Sequence, residues 1–136
     1  MAPRLLRAID MSRVLVAEDD PEMRRLLAEA LRKDWHDVIE AGDGGQLLVR
    51  IAEEFHRRSS LREIDVIVSD VRMPVCSGLE LAEQLADDGW RIPCVLLTAF
   101  GDEETRRRAE RIGAVLFDKP VALELVRATV NKLGPH

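Results

Sequence analysis

Short apolar runs alternate along this chain with segments whose apolar residues recur at helical spacing. Val14–Ala17 is an unbroken apolar run. Within Pro21–Lys33, residues Met23, Leu26, Leu27, Ala30 and Leu31 follow the i, i+3, i+4, i+7, i+8 pattern of one helix face. Asp20 before Pro21 predicts an N-cap with proline at the first helical position. Val38-Ile39 is the weakest strand signal. Gly42, Gly44 and Gly45 mark a turn, and Leu47, Leu48, Ile51 and Phe55 form a second helical stripe. The polar stretch His56–Glu63 reads as a long loop or a helix extension. Ile64–Ser69, rich in β-branched residues, predicts a buried strand. Leu81, Ala82 and Leu85 mark a third helix that ends near Asp88-Gly89, before a fourth strand at Ile92–Leu97. Asp102–Ile112 is a highly charged helix with little apolar stripe. Ala114–Phe117 is the fifth strand, and Leu123, Val126, Val130 and Leu133 line the last helix.

Five βα units with continuously apolar strands predict an α/β fold, a doubly wound parallel five-stranded sheet with helices on both faces. Right-handed crossovers bring every strand's carboxyl end to one edge, where such sheets bind ligands. With no internal repeat or linker, one domain is expected over 12–133. Residues 1–11 form an N-terminal extension expected to be loose, and 134–136 a short tail. The length of 136 residues suits that single domain.

Composition narrows the function. The chain is 46% apolar, which excludes global disorder, and its net charge of −5 disfavours binding to a phosphate backbone. The basic run Arg106-Arg107-Arg108 with Arg111 sits among Asp102, Glu103, Glu104 and Glu110, so a solvated face with local ion pairs is expected. Direct nucleic acid binding is therefore not expected. No run approaches the roughly 18 apolar residues of a membrane span, and a cytoplasmic location is expected. Cys76 and Cys94 have no zinc-type spacing and read as small hydrophobes. His36, His56 and His136 are isolated and expected at the surface, whereas Trp35 and Trp90 are expected to pack.

The chemistry lies at the strand ends. Glu18-Asp19-Asp20 follows the first strand, Ser69-Asp70 ends the third, Thr98 ends the fourth, and Asp118-Lys119-Pro120 follows the fifth. Asp20 is assigned to capping. Glu18, Asp19 and Asp70 on one edge repel: a unit pair at 4 Å costs about 4 kcal/mol at an effective dielectric near 20. A hard divalent cation offsets this, and Mg2+ favours a few carboxylates, waters and a phosphate oxygen. With Lys119 and Mg2+ the charge sums to zero, leaving a site that can accept a phosphoryl group on a carboxylate.

These stretches resemble the receiver domain of bacterial two-component response regulators. Val14-Leu15-Val16-Ala17-Glu18-Asp19-Asp20-Pro21, Ser69-Asp70-Val71-Arg72-Met73-Pro74 with Gly78, Leu97-Thr98-Ala99 and Asp118-Lys119-Pro120 occur in the family's order. Asp19 and Asp70 are 51 residues apart, Asp70 and Thr98 28, and Thr98 and Lys119 21. The resemblance implies strand order 2-1-3-4-5 and the phosphoacceptor role for Asp70. It implies Mg2+ held by Glu18, Asp19, Asp70 and the backbone carbonyl of Arg72, with Glu18 acting through water. Thr98 and Lys119 would contact the phosphoryl group, and the Lys119-Pro120 peptide would be cis. Thr98 and Leu116 would be the switch positions, in an output surface of the fourth helix, fifth strand and fifth helix. The implied partners are a sensor histidine kinase or phosphotransfer protein and a downstream protein target, with the chain a monomer or a weak phosphorylation-dependent dimer. The reading is of a stand-alone receiver with self-phosphorylation and slow self-dephosphorylation, and not of an enzyme.

Three departures from the family pattern stand out. The acidic pair is Glu-Asp, Gly113–Lys119 is one residue shorter than usual, and Gly45–Ile64 is longer. Leu116 takes the place where the family often has an aromatic ring. Other readings are a receiver cut from a larger regulator, an adaptor of the same fold that is not phosphorylated, and a haloacid-dehalogenase-type phosphatase. The last needs an Asp-x-Asp-x-Thr/Ser motif after the first strand, where this chain has Glu18-Asp19-Asp20-Pro21-Glu22.

Overall fold

The computed structural model describes residues 12–56 and 64–134. The extension at 1–11, most of the polar stretch His56–Glu63, and Pro135 and His136 lie outside the described residues, as do the side chains of Phe55 and His56. Five strands, β1 (Arg13–Ala17), β2 (Asp37–Ala41), β3 (Val66–Asp70), β4 (Cys94–Thr98) and β5 (Val115–Asp118), alternate with five helices. These are α1 (Pro21–Lys33), α2 (Gly44–His56), α3 (Gly78–Asp87), α4 (Glu103–Arg111) and α5 (Leu123–Leu133). All strand pairs are parallel and the order is β2-β1-β3-β4-β5.

The two-residue period of a strand sorts side chains to the two faces. Val14, Val16, Val66, Val68, Val95 and Leu97 pack with Leu27, Leu31, Val126 and Val130 of α1 and α5. Leu15, Ala17, Ile67 and Cys94 pack on the other face with Leu47 of α2 and Leu81, Ala82 and Leu85 of α3. Leu96 joins Leu79 of α3 and Ala109 of α4 on that same face. Both faces are covered, which is why the strands read as unbroken apolar runs.

Asp20 caps α1 as its sequence predicts, accepting from the amides of Glu22 and Met23. Asp102 caps α4 through the Thr105 amide at 2.8 Å. The scarcity of apolar residues on α4 is made up by ion pairs that reach other elements instead of staying local. Arg108 grips Glu83 of α3 with two donors, Arg111 reaches Glu83 and Asp87, and Arg106 reaches Asp118 at the end of β5.

Two surface expectations are corrected. His36 is buried: its Nδ1 accepts from the Ser12 amide at 3.3 Å and its Nε2 stands 2.6 Å from Asn131 Oδ1. These bonds require the neutral tautomer with the proton on Nε2, and they join β1, β2 and α5. Trp35 is 54% exposed, with a φ of 68° directly after α1, so it marks a helix end more than it fills a core. Trp90 is partly buried against the α2–α3 side.

Candidate functional site

Strand register alone carries three side chains to one place. Glu18 and Asp70 continue the alternation of Val14, Val16, Val66 and Val68 toward the α1–α5 face. Ala17 pairs with Ser69, so Glu18 and Asp70 leave their strands at the same level. Lys119 continues the alternation of Val115 and Phe117, which pack on that face. Its amide extends the ladder by donating to the Thr98 carbonyl at 2.8 Å. The ammonium returns to donate to Glu18 Oε1 and Asp70 Oδ2, each at 3.0 Å.

Asp19 is the exposed member of the group, and one carboxylate oxygen each from Glu18, Asp19 and Asp70 lies within 4.8 Å of the others. Glu18 is 1% exposed, and its Oε2 is buried without a hydrogen-bond partner. Burial pushes the Glu18 carboxyl up to about 7, with Asp70 adding to the rise and Lys119 opposing it. Burial also works against the Lys119 charge, but its bonds to Asp70 and Glu18 prevail and raise its pKa. An all-oxygen donor set, an excess of negative charge and an orphaned carboxylate oxygen fit a hard divalent cation such as Mg2+.

Thr98 is buried at the end of β4 on the opposite face parity from the acids. Its Oγ1 accepts from the Phe100 amide at 3.1 Å, so the hydroxyl holds its own loop and not Lys119 or Asp70. Phe100 is 70% exposed beyond it. Leu96 pairs with Leu116, and Leu97 with Phe117. Leu116 therefore shares a face with Thr98 and packs toward Leu79, Leu96 and Ala109, while Phe117 packs on the α1–α5 side. The Lys119-Pro120 peptide is cis.

The loop after Asp70 is held by backbone contacts. Ser77 Oγ donates to the Val71 carbonyl at 2.7 Å, and the Gly78 amide donates to the same carbonyl at 3.0 Å. A Cβ at Gly78 would stand 2.3 Å from the Asp70 carbonyl oxygen, so the motif glycine is needed for close approach. Arg72, two residues beyond Asp70, is exposed.

Two features of this edge have no counterpart in the sequence reading. Val75 has a φ of 78° and is 82% exposed, a conformation that β-branched residues rarely adopt. Arg24 of α1 donates from Nη1 to the Glu18 carbonyl at 2.9 Å. Only the spacing from Glu18 to an arginine one turn into the helix pointed to that contact, and helix amphipathicity explains the residue equally well.

A model of the response regulator receiver domain matches residues 14–131. The Mycobacterium tuberculosis protein named transcriptional regulatory protein PdtaR is 39% identical over 107 residues, covering 77% of this chain and 47% of its own. The chain thus spans about half the length of that relative. Sporulation initiation phosphotransferase F of Bacillus subtilis is 24% identical over 124 residues, covering 90% of this chain and 94% of its own. Among solved structures, the receiver domain of the Francisella response regulator 1452 superposes with a TM-score of 0.77 at 26% identity, covering 90% of this chain and 95% of that one.

Proposed function

Because the chain belongs to the response regulator receiver domain family, we propose that it is a switch phosphorylated on Asp70 by a sensor histidine kinase or a phosphotransfer protein. The observation that carries this reading is the Lys119 ammonium at 3.0 Å from both Glu18 and Asp70, with the Asp19 carboxylate beside them. An Asp70 carboxylate oxygen forms the new bond to phosphorus. The bond from phosphorus to the donor imidazole nitrogen breaks, and its electron pair stays on the imidazole. Lys119 holds one carboxylate oxygen and is placed to follow the charge onto the phosphoryl group. Glu18, Asp19, Asp70 and the Arg72 carbonyl are the proposed Mg2+ ligands. When bound, the cation supplies charge neutralisation at the phosphoryl oxygens.

Thr98 is the proposed reporter. To donate its proton to a phosphoryl oxygen the Thr98 hydroxyl must turn toward Asp70, which draws Oγ1 away from the Phe100 amide that it now accepts from and so re-forms the loop leading into α4. Output then passes through α4, β5 and α5 to a protein target. The receiver domain is assigned to 12–133, flanked by 1–11 and 134–136, and acts as a phosphoacceptor without turnover of an external substrate.

Incubation with acetyl phosphate should retard the protein on a phosphate-affinity gel when Mg2+ is present, and EDTA should abolish the change. Retardation that EDTA leaves intact, or none at all, would count against the proposal.

A further inference from the structure

We propose that Arg24 is a positioning residue for the acidic pair: its guanidinium, bound to the Glu18 carbonyl, sets the direction in which Glu18 and Asp19 leave β1. The inference rests on the Mg2+ reading of the site. Glu18 is held from both of its peptide groups. Its amide donates to the Ala41 carbonyl at 3.1 Å, and its carbonyl accepts from Arg24 Nη1 at 2.9 Å. The peptide plane joining Glu18 to Asp19 is rigid, so fixing its carbonyl fixes the start of Asp19 as well. That matters most for Asp19, the exposed member of the group.

Arg24 is itself anchored. Its amide donates to the Asp20 carbonyl at 2.9 Å within α1. Its Nε lies 3.6 Å from Glu40 Oε1 on β2, which draws the guanidinium across the turn instead of out to water. Gly42 leaves the room: a Cβ there would stand 2.9 Å from Nη1. The guanidinium thus brings positive charge behind a cluster of three carboxylates without occupying any of their oxygens, in contrast to Lys119. Groups that orient metal ligands without touching the metal commonly govern affinity by roughly ten- to a hundred-fold.

The test is the Mg2+ affinity of four proteins, wild type, Arg24→Gln, Arg24→Lys and Gly42→Ala, taken from the Mg2+ dependence of the melting temperature, with the metal-free melting temperature as a separate readout. Arg24→Gln should weaken Mg2+ by roughly tenfold. Arg24→Lys should recover part of the loss, because one ammonium keeps a donor but not the fork that spans Glu18 and Glu40. Gly42→Ala, which displaces the guanidinium without changing it, should fall between wild type and Arg24→Gln. A purely structural arginine would lower the metal-free melting temperature and leave Mg2+ affinity equal to wild type, and that result overturns the proposal. If Arg24→Gln melts too low to titrate, unchanged affinity in both Arg24→Lys and Gly42→Ala overturns it as well. A wild type that takes up no Mg2+ overturns the metal reading itself, and this proposal with it.

Discussion

Glu18 is the residue on which the electrostatics of the pocket turn. Its carboxyl titrates near 7 in the fold, against 4.5 for an unperturbed glutamate, because burial disfavours its charge. Between those values the metal-free folded chain binds a proton that the unfolded chain has released. Its stability therefore falls as pH rises from about 4.5 to about 7, the reverse of the behaviour of a salt-bridged carboxylate. Chemical denaturation of the metal-free protein across that window should show the decline, and Glu18→Gln should flatten it; an equal slope in the variant would assign the proton elsewhere. Arg72 and Phe100 set a second expectation at this scale. The Asp102 carboxyl is held below its usual value first by the Thr105 hydroxyl and amide, then by the charges of Arg72 and Arg106. The Arg72 charge thus acts on the N-cap of α4, and the ring of Phe100 is exposed. Neither side chain is suited to activate a water as a base. The doubly substituted Arg72→Asn/Phe100→Glu protein should lose its phosphoryl group faster than wild type, measured as decay of acid-labile phosphate after the donor is removed. Equal decay rates would contradict this.

Among the elements, β5 gives the sharpest test, because one strand sends Leu116 toward α4 and Phe117 toward α5. Phe117 is only partly buried. Phe117→Ala should therefore cost about 2–3 kcal/mol, short of the roughly 3–5 of a fully buried ring. Leu116→Ala should cost less stability and act chiefly on binding of a downstream target. A larger stability loss for Leu116→Ala than for Phe117→Ala in urea denaturation would reverse the assignment of faces. Counting back from Lys119 predicts this register of β5, but the shortened Gly113–Lys119 segment leaves a shifted register with Phe117 on the Thr98 side also compatible with the sequence; the strand pairing decides for the first. Strand limits were legible to within one or two residues: Ile92 and Pro93 precede β4, and Ile64 and Asp65 precede β3. Asp65 and Pro93 already join the ladder, the Asp65 amide donating to the Arg13 carbonyl at 2.8 Å and the Pro93 carbonyl accepting from the Ile67 amide at 3.0 Å. The attachments of α4 were not legible. Arg108 and Glu83 are 25 residues apart, and nothing local shows that α3 and α4 lie side by side.

For the whole molecule, the five βα units and the acids, hydroxyl and lysine at the strand ends were readable because hydrophobic period and strand-end position are local properties of sequence. What stayed hidden depends on distant partners. His36 looked isolated because Ser12 and Asn131, which satisfy its two ring nitrogens, lie at opposite ends of the chain. Arg24 looked like an ordinary helix-surface residue because its acceptor is a backbone carbonyl, which sequence does not mark. In the assembled fold the sheet concentrates negative charge at one edge and meets it with one ammonium, so the molecule is poised to take up a cation and a phosphoryl group together. The most direct measurement of that claim is the location of the bond to phosphorus. The protein is treated with acetyl phosphate and Mg2+, reduced with borohydride to trap the acyl phosphate as an alcohol, digested and sequenced by mass spectrometry. The account predicts a single reduced site at residue 70, absent from Asp70→Asn; an unmodified Asp70 with phosphate or reduction product at another residue would contradict it.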